Sequence, residues 1–306
     1  MTKVLIATVK PFAPAAVSEI KSTLDAAAYD YTFFEKYSTQ DELIEAVKDA
    51  DALIIRSDKI TREVLEAAAN LKIVVRAGAG YDNVDLAAAT EKGVVVMNTP
   101  GQNSNAVAEL ALGMMVYQAR NHFNGTSGTE LKGKTLGIHA YGHVGRLVAR
   151  IAHGFGMEVI AFDPFIPKET IQKDGVAVAE SVEDMYATCN YISLHIPANE
   201  HTKRSINYNL LSKMQKGATL VNTARKEVID EEGLLKIFEE NESFNYVSDI
   251  APDNKELLEE KFGNRCFFTP KKMGAQTAEA NINAGIAAAK QIIGYIQKGD
   301  TTFKVN

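Results

Sequence analysis

The 306-residue chain has no tryptophan and only two cysteines, Cys189 and Cys266. The pair lies far apart in sequence, without the clustered spacing of a zinc site or a disulfide framework, and so speaks for a reducing, cytoplasmic setting. Long apolar runs are missing as well: the apolar opening at 4–9 is cut short by Lys10 and Pro11, far below the ~18 residues of a membrane span. Charge of one sign is nowhere concentrated. The 33 basic and 39 acidic side chains sum to −6, and no run of Lys and Arg offers a nucleic-acid groove or a polybasic membrane anchor. The eight prolines form no linker, and neither low-complexity segments nor short tandem repeats interrupt the chain. Histidine stops early: the six are His122, His139, His143, His153, His195 and His201, so the final third has none.

What the chain does contain is a rhythm. Its length predicts two domains at ~150 residues each, and 46% hydrophobic side chains are enough for two cores. Short β-branched runs at 4–9, 52–55, 73–75 and 94–97 alternate with Ala- and Leu-rich stretches of helical period. The pattern then restarts at 135–140, 158–162, 191–195, 218–222, 244–249 and 265–269. Such alternation predicts an α/β fold of two Rossmann-like, doubly wound parallel sheets covered by helices. Between the windings, 105–121 carries Val107, Leu110, Ala111, Met114, Met115 and Gln118 at helical spacing and reads as a long buried helix bridging the domains. Another long helix is expected at 277–297, ended by Gly299, with the tail 301–306 returning to the first domain.

The segment 134–145, KTLGIHAYGHVG, follows the first strand of the second winding and opens a helix. Against the dinucleotide pattern G-x-G-x-x-G it supplies Ala140, Gly142 and Gly145, with alanine at the first glycine. Gly142 would let the backbone approach a pyrophosphate, Gly145 permits close helix packing, and the N–H groups of His143 and Val144 would face the phosphate. Asp163, 21 residues after Gly142 and followed by Pro164, ends the next strand where a carboxylate can accept from ribose hydroxyls. No Arg or Lys follows before Lys168, so a 2′-phosphate would meet a negative charge. NAD is expected over NADP.

Taken with Arg56-Ser57, RAGAGYDNVD at 76–85, NTPGQNS at 98–104, His195-Ile196-Pro197, NTAR at 222–225 and Thr269-Pro270, the chain resembles the D-isomer-specific 2-hydroxyacid dehydrogenases over nearly its whole length. The resemblance implies an active-site cleft between the domains, with 1–98 plus 283–306 as a flavodoxin-like substrate domain and 99–282 as the NAD domain. It implies oxidation of D-3-phosphoglycerate to 3-phosphohydroxypyruvate, or action on hydroxypyruvate, glyoxylate or another small 2-keto acid. Arg225 resembles the arginine bridging substrate carboxylate and reacting oxygen, a task suited to a planar guanidinium. Gly78 and Ala79 resemble the amide donors for the carboxylate. Arg56 and Ser57, with Lys59 and Asn103, resemble the groups that engage a distal phosphate. Cofactor contacts fall on His195, Ile196, Pro197, Thr202, Thr223, Ala224, Arg225, Asp249 and Gly274, besides the turn residues. His195 reads as a neighbour of the nicotinamide half and not as the base. A homodimer is implied, with the helix from Asn105 as its interface, and an appended regulatory domain is not expected.

The resemblance breaks at the catalytic pair. Where relatives carry Glu before Pro and His in Thr-Pro-His, this chain reads Asn254 in the acidic loop and Lys271-Lys272 after Pro270. Aligning the glycine at 274 puts Lys272 on the histidine, with Lys271 the alternative. Lysine is a competent base when burial and neighbouring cations disfavour its ammonium, so a buried Lys272 is expected as proton acceptor. Loss of the His-Glu pair would equally suit a non-catalytic, NAD-sensing corepressor.

Overall fold

The β-branched runs at 52–55, 73–75 and 95–97 are buried on both faces, as strands of a parallel sheet sandwiched by helices must be. The computed structural model describes all 306 residues. They form two units, 1–103 with 276–306, and 104–275. The breaks fall between Asn103 and Ser104, against an expected 98/99, and between Ala275 and Gln276, against 282/283.

The first unit runs β1 (Lys3–Thr8), α1 (Pro14–Ala26), β2 (Asp30–Glu35), α2 (Gln40–Ala46), β3 (Ala52–Ile55), α3 (Arg62–Ala67), β4 (Ile73–Arg76), α4 (Leu86–Glu91) and β5 (Val95–Asn98). Its all-parallel sheet has the order β2-β1-β3-β4-β5. Strand β2 was not expected, because DYTFFE opens on an acid and lies half-buried at a sheet edge, without the continuous apolar run of its neighbours.

The second unit runs α5 (Ser104–Ala119), β6 (Thr135–His139), α6 (His143–Gly154), β7 (Glu158–Phe162), α7 (Lys168–Lys173), β8 (Ala177–Val178), α8 (Val182–Thr188), β9 (Tyr191–Leu194), α9 (Tyr208–Leu211), β10 (Thr219–Asn222), α10 (Glu231–Glu240), β11 (Asn245–Ser248), α11 (Lys255–Phe262) and β12 (Cys266–Phe268). Its parallel sheet has the order β12-β11-β10-β9-β6-β7-β8. Helix α5 buries Ala108, Ala111, Leu112, Met114 and Met115 in the core that also holds Val148 and Ala152 of α6, so it is a core helix of this unit.

The last helix, α12 (Ala278–Lys298), belongs entirely to the first unit. Thr277 caps it by accepting from Ala280 N, and Gly299 ends it at φ 66°. Its buried face is Ala280, Ala284, Gly285, Ala288, Ala289 and Ile292; the small side chains among them bring it close to α1, where a Cβ on Gly285 would sit 2.7 Å from Ile20. The tail then returns as expected. Val305 N donates to Val96 O at 2.9 Å, and Asn306 Oδ1 accepts from Val96 N at 2.8 Å, covering the β5 edge.

Candidate active site

In an open α/β sheet a ligand crevice forms at the carboxyl ends of the strands where the winding reverses. In the second unit that point lies between β6 and β9. The loop after β6 is the glycine turn, and the loop after β9 carries His195, Ile196 and Pro197. In the first unit it lies between β1 and β3. The loops there contain Val9 and Lys10 on one side, and Arg56 to Lys59 on the other.

The glycine turn joins β6 to the first turn of α6. Gly142 is the N-cap of α6, and a Cβ there would meet nothing within 4 Å, which leaves the approach to the helix N-terminus open. A Cβ on Gly145 would collide with Ala140 O, so this glycine allows the helix to cross the strand end. His143 is exposed and Val144 half-buried in the first turn. Asp163 is half-buried at the end of β7, before the exposed Pro164; its Oδ2 accepts from Tyr141 N and its Oδ1 from Phe165 N, both at 2.8 Å. The carboxylate therefore ties the turn to the next strand, and each oxygen keeps a second acceptor direction for a ribose hydroxyl. Ala140 carries the cost of the missing first glycine. Its φ is +82°, a region unfavourable to any side chain with a Cβ. Ala140→Gly is expected to stabilise the protein by about 1 kcal/mol and raise its melting temperature by roughly 2–4 °C, measurable by calorimetry; an unchanged or lower melting temperature would count against strain at this residue.

Two histidines lie beside the turn. His195 N donates to His139 O at 2.9 Å, and the His195 ring meets Ser193 Oγ at 3.0 Å. Burial, with His139 alongside, pushes the His195 pKa down to about 3. Burial likewise pushes His139 down to about 4, Asp163 opposing. Both rings are neutral at working pH. Thr202 closes the following loop: its Oγ1 donates to Pro197 O at 2.5 Å and accepts from Asn199 N at 2.9 Å. Ile196 is buried and Pro197 exposed.

At the end of β10, Asn222 shapes the turn that presents Arg225. Its Oδ1 accepts from Ala224 N at 2.9 Å and its Nδ2 donates to Arg225 O at 3.0 Å. Arg225 is half-buried, and its Nη1 donates to Ala224 O at 2.9 Å. Thr223 is 7% exposed with its Oγ1 unpartnered, an orphan hydroxyl of the kind a bound ligand satisfies.

Asp249, 1% exposed, holds the lysine loop. Its Oδ1 accepts from Thr269 Oγ1 at 3.0 Å and Met273 N at 2.7 Å, and its Oδ2 accepts from Gly274 N at 2.7 Å. A Cβ on Gly274 would stand 2.8 Å from Asp249 Oδ2, so glycine is required by close approach. Thr269 Oγ1 also lies 2.9 Å from Lys271 O. The backbone is thus pinned on both sides of Lys272, while Lys271, Lys272 and Met273 are themselves exposed. The buried lysine expected from the sequence is not what this structure contains, since the loop turns outward at these three residues. Asn254, at the position of the usual acid, precedes α11; Glu231 accepts from its N–H at 3.2 Å, and its Oδ1 is buried without a partner.

In the first unit, Arg56 is committed to the fold. Its Nη1 donates to Lys10 O at 2.9 Å and Pro11 O at 3.0 Å, its Nη2 donates to Asn281 Oδ1, and its guanidinium lies over the Phe12 ring. Three of five donor hydrogens are occupied. Ser57 and Lys59 instead border a pocket of about 310 Å³ with Lys10, Ser38 and Gln40, at the winding reversal between β1 and β3. Gly78 N donates to Arg76 O at 2.8 Å, so that amide is turned inward. Ala79 is exposed, and Asn103 is a half-buried residue at the end of the unit's first segment. A Cβ on Gly78 would overlap the Arg76 guanidinium, and Arg76 Nε donates to Arg56 O at 2.9 Å. Arg76 and Asn222 were not singled out from the sequence. Each stands inside a quoted motif, RAGAGYDNVD and NTAR, which was the available signal. No three His, Cys, Asp or Glu side chains group as a metal site, and no helix is long and apolar enough to cross a membrane.

Comparison with known proteins places the chain among relatives. The D-isomer specific 2-hydroxyacid dehydrogenase catalytic domain matches residues 4–306. A D-3-phosphoglycerate dehydrogenase of Methanocaldococcus jannaschii is 38% identical over 83% of this chain and 51% of its own length. The chain spans about half the length of that relative and of the human D-3-phosphoglycerate dehydrogenase, which is 36% identical with 53% of its length covered. A hydroxypyruvate reductase of Thermotoga maritima is 36% identical over 83% of this chain and 87% of its own. The crystal structure of a 3-phosphoglycerate dehydrogenase from Entamoeba histolytica with NAD+ bound superimposes with a TM-score of 0.90, at 46% identity, over 100% of this chain and 98% of that one.

Proposed function

We propose, since the chain belongs to the D-isomer specific 2-hydroxyacid dehydrogenase family, that it is an NAD-dependent dehydrogenase oxidising D-3-phosphoglycerate to 3-phosphohydroxypyruvate. The observation carrying the cofactor half is the β6 turn, with open space before Gly142, a carboxylate at Asp163 and an orphan hydroxyl at Thr223. These residues fit a dinucleotide: the first turn of α6 would hold the pyrophosphate, Asp163 the ribose and Thr223 the nicotinamide end. NAD supplies the hydride acceptor when bound. Everything else falls to the chain's own groups.

Arg225 binds the substrate's carboxylate and reacting oxygen, and stabilises charge on that oxygen as its proton departs. Lys272, exposed in a loop whose backbone Asp249 holds, is read as the acceptor of the hydroxyl proton in its neutral amine form, and as an ammonium it returns the proton in the reverse direction. For the carboxylate, the reading moves one residue along the chain from the pair expected. With Gly78 N–H bonded to Arg76 O, the donors are the amides of Ala79 and Gly80, and Arg76 adds positive charge. For the phosphate, the pocket bordered by Ser57, Lys59 and Lys10 replaces Arg56, which is occupied by Lys10, Pro11 and Asn281.

The relative from Thermotoga maritima supports a second reading, hydroxypyruvate as substrate, because only distal contacts separate the two. A steady-state panel of D-2-hydroxy acids and 2-keto acids tests the choice. The phosphorylated pair is expected to have kcat/KM at least about tenfold above its unphosphorylated counterparts, on the worth of one charged hydrogen bond. Equal values would remove the phosphate pocket from the reading, and no turnover with any of them would remove the dehydrogenase.

A further inference from the structure

The loop 77–80 is held from behind by the end of β5. Thr99 N donates to Gly78 O at 2.9 Å, and Asn98 Nδ2 donates to Ala79 O at 2.6 Å. Asn98 is 9% exposed and lies in register with Arg76 on the neighbouring strand. Its own carbonyl accepts from Gln291 Nε2 of α12 at 2.9 Å, so the bracket is fastened to the helix behind it. None of the peptide bonds is cis, and in a trans peptide the C=O of one residue is antiparallel to the N–H of the next. Drawing Gly78 O and Ala79 O towards β5 therefore turns the amides of Ala79 and Gly80 the opposite way, side by side. The Ala79–Gly80 peptide is oriented by the Asn98 side chain.

We infer that Asn98 is a positioning residue for the substrate carboxylate, setting the direction of the Gly80 N–H without touching the substrate itself. This rests on the reading of the loop as the carboxylate cradle. Backbone strand pairing orients Gly78 O whatever the side chains are, whereas Ala79 O depends on a side-chain amide donor. Aspartate in place of Asn98 keeps the shape but, once ionised, cannot donate and repels the carbonyl.

The test compares wild type, Asn98→Ala and Asn98→Asp, with NADH affinity and melting temperature measured on each. A carboxylate contact present in both ground and transition states acts on KM. Substrate KM is expected to rise about tenfold in Asn98→Ala, the worth of one misdirected donor, with kcat within about twofold and NADH affinity unchanged. In Asn98→Asp, KM should fall back towards the wild-type value as the pH is lowered and the new acid gains its proton, while the wild-type KM shows no such recovery. Packing alone would not give that pH-dependent recovery. With wild-type turnover in hand, an unchanged KM in Asn98→Ala, or a KM in Asn98→Asp that ignores pH, overturns the role of Asn98 alone; a wild type that turns over no 2-hydroxy acid overturns the cradle and the inference with it.

Discussion

Arg225→Ala is expected to lower kcat/KM by on the order of 10³-fold while leaving the dissociation constant for NADH within a few-fold. The magnitude follows from removing a donor aimed at developing charge, which costs ~10²–10³ where a neutral group is lost and more where a bidentate cation is lost. The asymmetry follows from its place in the fold. Asn222 holds the 222–225 turn through Ala224 N and Arg225 O, both backbone atoms, so truncating the Arg225 side chain leaves the turn and Thr223 in place. Arg225→Lys should recover little, because an ammonium cannot bridge two oxygens in a plane. Steady-state kinetics beside fluorescence titration of NADH gives both numbers. A loss below tenfold, or an equal weakening of NADH, would take Arg225 out of the substrate site.

The second large effect is expected at Lys272. General acid–base catalysis contributes ~10²–10⁴, so Lys272→Ala should lower kcat by that order, and Lys271→Ala by no more than a few-fold. The sign of the pH dependence is fixed by the chemistry: oxidation needs the neutral amine and gains with rising pH, whereas reduction needs the ammonium and gains as pH falls. Lys272→Ala should flatten the alkaline-rising limb of kcat/KM for oxidation. The loop around it should survive, because its anchors are the Met273 and Gly274 amides on Asp249. If the limb persists and turnover is near normal, the base lies elsewhere, and Lys271 or a water takes its place as candidate.

Much of this architecture was legible because parallel strands buried on both faces must be continuous apolar runs, and 52–55, 73–75 and 94–97 are such runs. Strand β2 was not, since an edge strand needs only one face and begins here on Asp30-Tyr31-Thr32; β8 has two residues, too few for any period. The candidate site divides the same way. The glycine turn and Asp163 are set by local spacing and could be found in the sequence, whereas Arg225 was reached through the resemblance that NTAR at 222–225 carries. The commitment of Arg56 could not, because one of its partners, Asn281, is 225 residues away. Nor could the engagement of both Asp249 oxygens by the lysine loop, or the inward turn of the Gly78 amide, which only the folded backbone decides.

The division of the chain has a consequence for how it folds. The second unit is one continuous stretch, 104–275, whereas the first is completed only by 276–306. Helix α12 packs on α1, and Gly285 meets Ile20, so that core waits on residues made after the whole of the second unit. Bringing those ends together across an unfolded loop of 172 residues (104 to 275) costs roughly 4–5 kcal/mol in chain entropy. If the insert has already folded, the loop shrinks to the distance between its own ends. The order that minimises this cost is insert first, host second, which leaves the apolar sheet of the first unit exposed longest on the ribosome.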